Sequence, residues 1–555
     1  MMNNYQKIAE LLYPNNKYTV EEILKKYPKR KLDKNQVVSR YAPSPTGYMH
    51  LGNFFQMFIS YNLTRVTDGV FFLRIEDTDA KREKKDATQV IYEILDNFGI
   101  KANEYQTLEG EDIGDYGPYV QSQRVEIYKA FAKKLVSEGK AFPCFCRKTE
   151  GKEDVLKLRE HKFENDDLKE YDPCRDLSYE EVEANIKEGK PFAIRLKTKN
   201  TGTERVKFYD LIKGEIDTKA NAKDIILVKS DGVPPYAFAH AIDDTLMGTT
   251  IVVRGEEYIS STPSHMEIFD ALGFDYVTYC HNPLICKIGE EGNRRKISKR
   301  YDPEADMRYY FEEGYPIESV LEYLLNLINS GFENWRRENP DLSWKEFKFG
   351  VNDITAVAPI FDLVKLNDIS KNLISRMNKV DVYNGALLWA EKYDSEFAGL
   401  LKEHKNLAIE MLNIDREIER PRKDIAKYKD VRELYLYFFN EIFDRAELLN
   451  FDEKYTKENI VRFLTAYKNV IDVTVQKDEW FAGVKEVAGS CGFATDNKAY
   501  KANPSAYAGN VADACTILRV AITGRTQTPD LYSIMQTLKY DEVISRIDYV
   551  LENLK

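Results

Sequence analysis

RYAPSPTGYMHLGN, residues 40–53, is the stretch of sequence that decides the predicted fold. Residues 36–41 read as a short strand, and two prolines with a glycine then force a loop. An apolar stripe at helical spacing predicts a helix that ends at Gly69, in the C′ position. The stripe consists of Leu51, Phe54, Phe55 and Phe58. The apolar run at 70–75 indicates a strand buried on both faces, which completes a strand–loop–helix–strand unit of a parallel sheet.

The same organisation recurs much later in the chain. Residues 250–254 read as a strand, and Thr262 with Pro263 marks the start of a helix that Gly273 ends. The stripe of this helix consists of Met266, Phe269 and Leu272. Residues 276–280 supply another strand. The predicted sheet is therefore split by a long segment, which must contain an inserted domain.

Beyond about residue 305 the pattern is helical to the end of the chain. The clearest stripe consists of Leu531, Ile534, Met535, Leu538, Val543, Ile544, Ile547, Val550, Leu551 and Leu554. A length of 555 residues suggests about three to five domains. The sequence thus predicts an α/β first half and an all-α second half.

Charge and composition exclude several classes of protein. The chain carries 80 Lys and Arg against 91 Asp and Glu, a formal charge of −11, which argues against a globally basic nucleic-acid binder but allows local basic strips. Hydrophobic residues make up 43% of the chain, as in a globular protein, and no apolar run is long enough for a membrane span or a signal peptide. Seven thinly spread cysteines favour a reduced, cytoplasmic compartment.

Residues 1–36 form a basic leader. It holds eight Lys or Arg residues against four Asp or Glu. We interpret it as a solvated extension, with contact to a polyanion as the alternative.

The loop at 40–53 has features of a nucleotide-binding loop. Gly47 and Gly52 are spaced as in a Walker A loop, but Asn53 and Phe54 stand where that loop has its Lys and its Ser or Thr. His50 lies at the mouth of the helix, where its imidazole can hydrogen-bond a phosphoryl oxygen. The alternative is a histidine that only caps the helix.

A second candidate loop is KISKR at 296–300, which follows the polar run at 289–295. Lys296 and Lys299 can close over a triphosphate and neutralise the charge that develops on pyrophosphate. The alternative is an ordinary solvated basic loop.

These motifs together resemble a known family. PSPTG-x-x-H-x-G, LRIEDTD at 73–79, VRGEE at 253–257 and KISKR resemble the class I aminoacyl-tRNA synthetases, specifically the bacterial glutamyl-tRNA synthetases. HLGN at 50–53 is similar to the family's HIGH signature and KISKR to its KMSKS signature. With RVAITGRTQTPDLYSIM at 519–535, the resemblance covers nearly the whole chain from Val37 onward.

The resemblance implies a domain plan. A Rossmann-type catalytic domain would comprise residues 37–140 and 231–305, split by an acceptor-stem-binding domain at 141–230. A helical stem-contact region at 306–375 and a helical anticodon-binding region at 376–555 would follow.

The implied reaction joins ATP and L-glutamate to glutamyl-adenylate and pyrophosphate, with Mg²⁺, and passes glutamate to the terminal adenosine of tRNA(Glu). The implied ATP-binding residues are His50, Gly52, Glu257, Tyr258, Lys296 and Lys299. Of these, His50, Lys296 and Lys299 would be catalytic. The implied enzyme is a cytoplasmic monomer without contact to a membrane.

Glutamate brings two carboxylates and one ammonium, which call for a guanidinium and an acid. Arg40 and Arg254 are the candidates for carboxylate contacts, because the planar fork of Arg binds in bidentate geometry. By analogy Arg40 faces the substrate side chain, and we expect that a buried Arg40 without a dianion to pair would be costly. Glu76 would take the ammonium; the alternative is a helix N-terminal acidic cluster with Asp77 and Asp79. The other implied pocket residues are Ala42, Ser44, Tyr236 and His240, the last at a position where the family often has Asn.

The alternatives for function are three. A glutaminyl-tRNA synthetase usually carries an acid where Ser44 stands, so Ser44 and Thr46 favour glutamate, while an enzyme that charges both tRNAs stays open. A small-molecule nucleotidyltransferase would leave the helical half without a role. An inactive tRNA-binding paralogue is disfavoured by the intact His50 and Lys299.

The inserted domain offers a possible zinc site. Some relatives bind metal there through C-x-C and a later element. Here Cys144, Cys146 and Cys174, with Asp176, can supply three thiolates and a carboxylate. The alternative is a set of plain buried cysteines.

Overall fold

Among the described residues, thirteen strands lie between residues 38 and 296. The computed structural model describes residues 2–78, 86–146, 174–200 and 203–554. The strands are β1 Val38–Tyr41, β2 Val70–Leu73, β3 Tyr105–Gln106, β4 Asp112–Ile113, β5 Ala141–Cys144, β6 Ala193–Leu196, β7 Arg205–Asp210, β8 Gly214–Lys219, β9 Ile226–Val228, β10 Ile251–Gly255, β11 Thr278–Asn282, β12 Cys286–Ile288 and β13 Arg294–Lys296. Asp79 and residues 147–173 of the predicted inserted domain lie outside the described residues.

The chain divides into two units. The first comprises Met1–Tyr309 and Leu324–Phe361, and the second Tyr310–Tyr323 and Asp362–Lys555. Helices up to Glu338 are α1 Asn4–Leu12, α2 Val20–Lys26, α3 Leu51–Val66, α4 Ala87–Asn97, α5 Val125–Ser137, α6 Tyr179–Lys187, α7 Tyr236–Leu246, α8 Thr262–Leu272, α9 Arg308–Glu313, α10 Ile317–Ile328 and α11 Gly331–Glu338. The α/β first half is therefore confirmed.

The second half is helical, as predicted. Its helices are α12 Leu363–Arg376, α13 Lys379–Tyr393, α14 Ser395–Glu403, α15 Lys405–Asn413, α16 Tyr428–Tyr435, α17 Lys457–Lys468, α18 Lys477–Ser490, α19 Asn497–Ala502, α20 Val511–Thr523, α21 Leu531–Leu538 and α22 Tyr540–Asn553. All of them except α19 bury apolar residues in one core, to which Leu531, Ile534, Ile547 and Val550 contribute. Across the described ranges, no helix is both long enough and apolar enough to span a bilayer.

The split parallel sheet is confirmed. β1 pairs in parallel with β2, and β10 in parallel with β11. The two pairs meet where the Thr250 N–H donates to the Val38 carbonyl at 2.9 Å and the Ser39 hydroxyl donates to the Ile251 carbonyl at 2.9 Å. Strands more than two hundred positions apart in sequence thus lie side by side, with every residue of β1 buried.

Gly69 has a different role from the predicted helix stop. The helix α3 ends at Val66, and the residue with a left-handed backbone is Asp68, at φ 49°. A Cβ at Gly69 would lie 1.9 Å from the Val37 carbonyl oxygen. Glycine is therefore required for the close approach of two backbones rather than for a C′ turn. In α8 the predicted stop is confirmed, since Gly273 has φ 73°.

The interpretation of the leader as a solvated extension is wrong. Its helices α1 and α2 bury Ile8, Leu12 and Ile23 in a core shared with α5. Arg30 donates to both carboxylate oxygens of Glu104 at 2.7 and 2.6 Å and to the Met247 carbonyl. Part of the positive charge of the leader is thus paired with a carboxylate inside the fold.

The segment between the two halves of the sheet contains further strands. β5, β6 and β9 form an antiparallel sheet of three strands. The hairpin of β7 and β8 joins the sheet that contains β10 and β11, because Asp210 pairs in parallel with Tyr279 of β11. The boundaries of an inserted domain at 141–230 stay a prediction.

Candidate functional site

A cleft of about 1720 Å³ opens beside the central sheet and gathers most of the predicted pocket residues. Its lining includes Arg40, Ala42, Ser44, Glu76, Tyr236, Arg254, Glu257 and Tyr258. Arg40 lies on β1 and Arg254 on β10, so the contact between these strands brings the two arginines to one cleft. Parallel sheets commonly bind ligands at the carboxyl ends of their strands, and this cleft has that position.

Arg40 has a partner that the sequence analysis missed. Its Nε lies 3.1 Å from Oδ1 of Asp244, and both side chains are buried. The expectation that burial of Arg40 needs a substrate dianion is therefore corrected, because the protein itself supplies a carboxylate. Burial opposes ionisation of Asp244, but Arg40 and Arg74 outweigh it and hold the pKa of this carboxyl well below its usual range.

Arg74 connects Asp244 to the predicted ammonium site. Its Nη1 donates to Asp244 at 2.8 Å and its Nη2 to Glu76 at 3.0 Å, with the whole side chain inaccessible. Burial raises the pKa of Glu76 despite this contact. Glu76 is thus a cleft carboxylate held by a buried guanidinium. Asp79, the far end of the predicted acidic cluster, lies outside the described residues.

Asp243 is the second carboxylate below the cleft. It accepts from Arg124 Nε at 2.7 Å, the Tyr128 hydroxyl at 2.7 Å and the Gln121 amide at 3.0 Å. A signal for this layer was present in the sequence. Arg74 interrupts the otherwise apolar run at 70–75, and the Asp243–Asp244 pair lies in a helix that is otherwise rich in alanine.

Arg254 is held in a different way. Its Nε donates to Nε2 of His281 at 2.9 Å, its Nη1 to Nδ1 of His265 at 2.9 Å and its Nη2 to the Thr262 hydroxyl at 2.8 Å. The guanidinium also stacks over the Tyr279 ring at 4.2 Å. The helix α8 begins at Thr262, as predicted, with Ser261 in the N-cap position, and the Thr262 hydroxyl accepts from Arg254.

His240 does not line the cleft. It is fully buried and stacks on the ring of Tyr236, 5.2 Å between centroids. Its Nδ1 faces Asp244, and its Nε2 lies 3.0 Å from the Tyr279 hydroxyl. Burial lowers the pKa of His240 to about 4, although Asp244 acts in the opposite direction. The His240 ring therefore packs against the ring of Tyr236, which lines the cleft.

His50 and the KISKR loop lie together beside this cleft rather than in its lining. The Nδ1 of His50 accepts from the Gly52 N–H at 2.9 Å and caps α3, so the neutral ring carries its proton on Nε2. Burial, then Lys299 and Lys296, lower the pKa of His50 to about 4. Lys299 donates to the Tyr48 carbonyl. The cap uses Nδ1, and a hydrogen bond to the backbone of Ile297, in the KISKR loop, acts in the opposite direction on the pKa.

The buried histidines predict acid sensitivity. An unfolded histidine has a pKa of about 6.5, while burial lowers the pKa of His240 to about 4 and also lowers that of His265. Below about pH 6.5 these histidines bind protons in the unfolded state but not in the folded state. Their contribution to the free energy of unfolding is therefore complete above this pH and is lost as the pH falls. We expect the free energy of unfolding at pH 5 to be about 2 kcal/mol lower because of His240 alone. Chemical denaturation measures this difference. His240→Gln should flatten this dependence, and an unchanged profile would contradict the assignment.

Three cysteines form a cluster at the edge of the cleft. Their sulfur atoms all lie within 4.8 Å of one another, and Cys146 and Cys174 are 3.6 Å apart. A hydrogen bond with Cys144 is the main cause that lowers the pKa of Cys174. Asp176 does not join this cluster of described residues, since it pairs with Lys197 at 2.9 Å. Cys146 is exposed, which differs from a set of plain buried cysteines.

Comparisons with known proteins agree with this geometry. The family described as tRNA synthetases class I (E and Q), catalytic domain, matches residues 36–336, and an anticodon binding domain matches residues 509–551. A glutamate–tRNA ligase of Clostridium perfringens is 44% identical over 550 residues, 98% of this chain and 100% of that protein. One of Acetivibrio thermocellus is 39% identical over 555 residues, 99% and 100%.

A solved structure extends the likeness to three dimensions. The glutamate-tRNA synthetase of Elizabethkingia anophelis superposes with a TM-score of 0.73 at 25% identity, over 93% of this chain and 100% of that one. The family match spans more than half of the chain, and the relatives are covered over their full length. The chain therefore belongs to the class I tRNA synthetases of the glutamate and glutamine group.

Proposed function

We propose that the chain is a glutamate–tRNA ligase, which activates L-glutamate with ATP and transfers it to the 3′-terminal adenosine of tRNA(Glu). The observation that carries this proposal is the meeting of Arg40, Arg254 and Glu76 in one cleft, with His50 and Lys299 close by. Two guanidiniums and one carboxylate match the two carboxylates and the ammonium of glutamate. Family membership sets aside the small-molecule nucleotidyltransferase.

The same geometry supports the division of roles. Because its Nδ1 is occupied, neutral His50 donates from Nε2 to a phosphoryl oxygen of ATP, in exchange for its hydrogen bond to the Ile297 backbone. Lys296 and Lys299 stabilise the charge on the leaving pyrophosphate, which Mg²⁺ carried with ATP also offsets. Gly52 allows close approach of the nucleotide, and Glu257 and Tyr258 face its adenosine.

The test is glutamate-dependent exchange between ATP and pyrophosphate, measured with and without tRNA. Exchange with glutamate that depends on tRNA supports the proposal, while exchange with glutamine alone points to the glutaminyl branch. Charging assays on purified tRNA(Glu) and tRNA(Gln) then decide whether the enzyme discriminates between them. Binding of both tRNAs without exchange would identify the inactive paralogue.

Ser44 is the position that tests selection of glutamate over glutamine. Replacing Ser44 with Asp places a carboxylate in the cleft lined by Arg40, where it competes for the guanidinium and repels the substrate side chain. We expect KM for glutamate to rise about 10-fold or more, because a like charge at short range costs at least about 1.4 kcal/mol. Ser44→Asn is the isosteric control. Equal KM values for the two variants would place the side-chain carboxylate elsewhere.

The cysteine cluster fits zinc by its donor set. Three sulfur atoms within 4.8 Å can converge on one tetrahedral ion, and zinc would tie β5 to the residues around Cys174. We expect purified protein to contain about one zinc per chain and Cys146→Ser to lose it, measured by atomic emission. Metal-free protein with an unchanged unfolding temperature would favour a cluster of thiols instead.

We further propose the predicted partition of tRNA contacts. The acceptor stem would bind residues 141–230, the stem 306–375 and the anticodon 376–555, of which 509–551 match an anticodon binding domain. The enzyme would act as a monomer in the cytoplasm.

A further inference from the structure

Arg254 differs in its partners from the other buried arginines around the cleft. Arg40, Arg74 and Arg124 each contact a protein carboxylate at 2.7 to 3.1 Å. Within the ranges that the structure describes, Arg254 makes no ion pair, although its side chain is buried. A buried guanidinium without a counter-ion is costly unless its N–H groups are satisfied or a ligand supplies the charge.

The histidines around Arg254 accept hydrogen bonds as neutral rings. His281 accepts from Arg254 at Nε2, so its proton sits on Nδ1, which donates to Oδ2 of Asp210 at 2.7 Å. Asp210 is fixed in turn by the backbone N–H groups of Ile212 and Lys213, each at 2.9 Å. His265 accepts at Nδ1 and carries its proton on Nε2. Burial lowers the pKa of both histidines, which keeps the rings neutral.

The charged groups near these rings do not change this assignment. His265 faces Arg254 and the rings of His240 and Tyr236, at 5.4 and 5.7 Å. Arg254 and the neighbouring histidines oppose protonation of His265. For His281, burial and Arg254 oppose protonation, while Asp210 and Glu257 favour it.

Neutral acceptors orient the guanidinium without cancelling its charge. A guanidinium has five N–H groups, and the contacts with His281, His265 and Thr262 use three of them. One N–H on each terminal nitrogen is left, which is the number that a carboxylate takes in bidentate contact. Arg254 lines the cleft, so an acidic group entering it meets a cation that no carboxylate of the described protein has neutralised.

We propose that His265 and His281 are positioning residues, which hold Arg254 as an uncancelled cation for a carboxylate of the substrate amino acid. Asp210 fixes the tautomer of His281 and thereby makes Nε2 an acceptor. The inference rests on the proposed role of Arg254 in glutamate binding. The residues behind the cleft would thus contribute to specificity, because they hold Arg254 without a protein counter-ion.

The test compares His265→Asn with His265→Asp. Both side chains place an oxygen near the position of Nδ1, but only Asp brings a negative charge that pairs with Arg254. We expect KM for glutamate to change by less than about 3-fold in His265→Asn and to rise by about 30-fold or more in His265→Asp, with KM for ATP unchanged. A purely structural role would affect both variants alike, and equal KM values overturn the proposal.

Matched controls separate the possible failures. His404 pairs with Glu441 at 2.8 Å in the helical unit, and His404→Asn and His404→Asp should leave KM for glutamate unchanged. If His265→Asp fails to fold, His281→Gln and His281→Glu form the second pair, with the same expected contrast. Arg254→Gln tests the underlying function: an unchanged KM for glutamate there refutes the role of Arg254 itself. A raised KM in Arg254→Gln with equal KM values in both histidine pairs refutes only the positioning.

Discussion

Replacing Lys299 with alanine is expected to lower the rate of glutamyl-adenylate formation by about 100-fold or more. Lys299 donates to the Tyr48 carbonyl and lies 3.9 Å from Asp306, which holds its ammonium beside the loop that carries His50. A positioned cation at developing pyrophosphate charge contributes about 3 to 4 kcal/mol to the transition state. Single-turnover formation of the adenylate measures the effect directly, and tRNA binding should stay nearly intact.

The matched control for this experiment is Lys101→Ala. Lys101 is exposed and lies outside the cleft lining, so its removal should change the rate by less than about 2-fold. A rate in Lys299→Ala within the range of this control would show that the KISKR loop is only a solvated basic loop. A fall in tRNA affinity equal to the fall in rate would assign Lys299 to tRNA instead.

Replacing Asp244 with asparagine is expected to lower the free energy of unfolding of the first unit by about 3 to 5 kcal/mol. Asp244 accepts from Arg40 at 3.1 Å, from Arg74 at 2.8 Å and from the Thr249 hydroxyl at 3.2 Å. Asparagine keeps the shape but leaves two buried cations without this counter-charge. Chemical denaturation followed by tryptophan fluorescence measures the loss.

Asp231→Asn is the control for the Asp244 variant. Asp231 also lines the cleft, but it is exposed and its nearest cation, Lys229, lies 3.7 Å away. Exposed pairs of this kind contribute about 1 kcal/mol or less. Similar losses in the two variants would mean that the buried charges are compensated by water or by rearrangement, and would remove Asp244 as the anchor of Arg40.

The sequence predicted the elements that carry the sheet, because their signals are local. Apolar runs with turn residues at both ends placed the strands of β1 and β10 within one or two positions of their observed bounds. The prediction also reached the residues that line the cleft, through a resemblance of motifs rather than through periodicity. Gly69 shows the limit of a local rule: the same residue suits a helix end and a close backbone contact.

The support behind the cleft was not predictable in the same way. Arg40, Asp244 and His281 come from distant segments, and only the parallel pairing of strands brings them together. The sequence around His265 does not indicate that it contacts Arg254, because His265 lies among apolar residues of its helix. The leader was misread for the opposite reason. Its many charges indicate a solvated segment, while the few apolar residues that dock it, Ile8 and Leu12 among them, form only a short pattern.

The split of the sheet also fixes an order of events during synthesis. A ribosome releases the first strand pair long before Thr250, whose N–H completes the edge at Val38. Until then β1 presents an open edge to other chains, and Arg40 and Arg74 wait for Asp244. Arg40 precedes Asp244 by 204 residues and Arg74 precedes it by 170, so the nascent chain leaves both guanidiniums in water while this interval is translated. The topology therefore requires that the edge of β1 be protected during synthesis, either by a chaperone or by early packing of the leader.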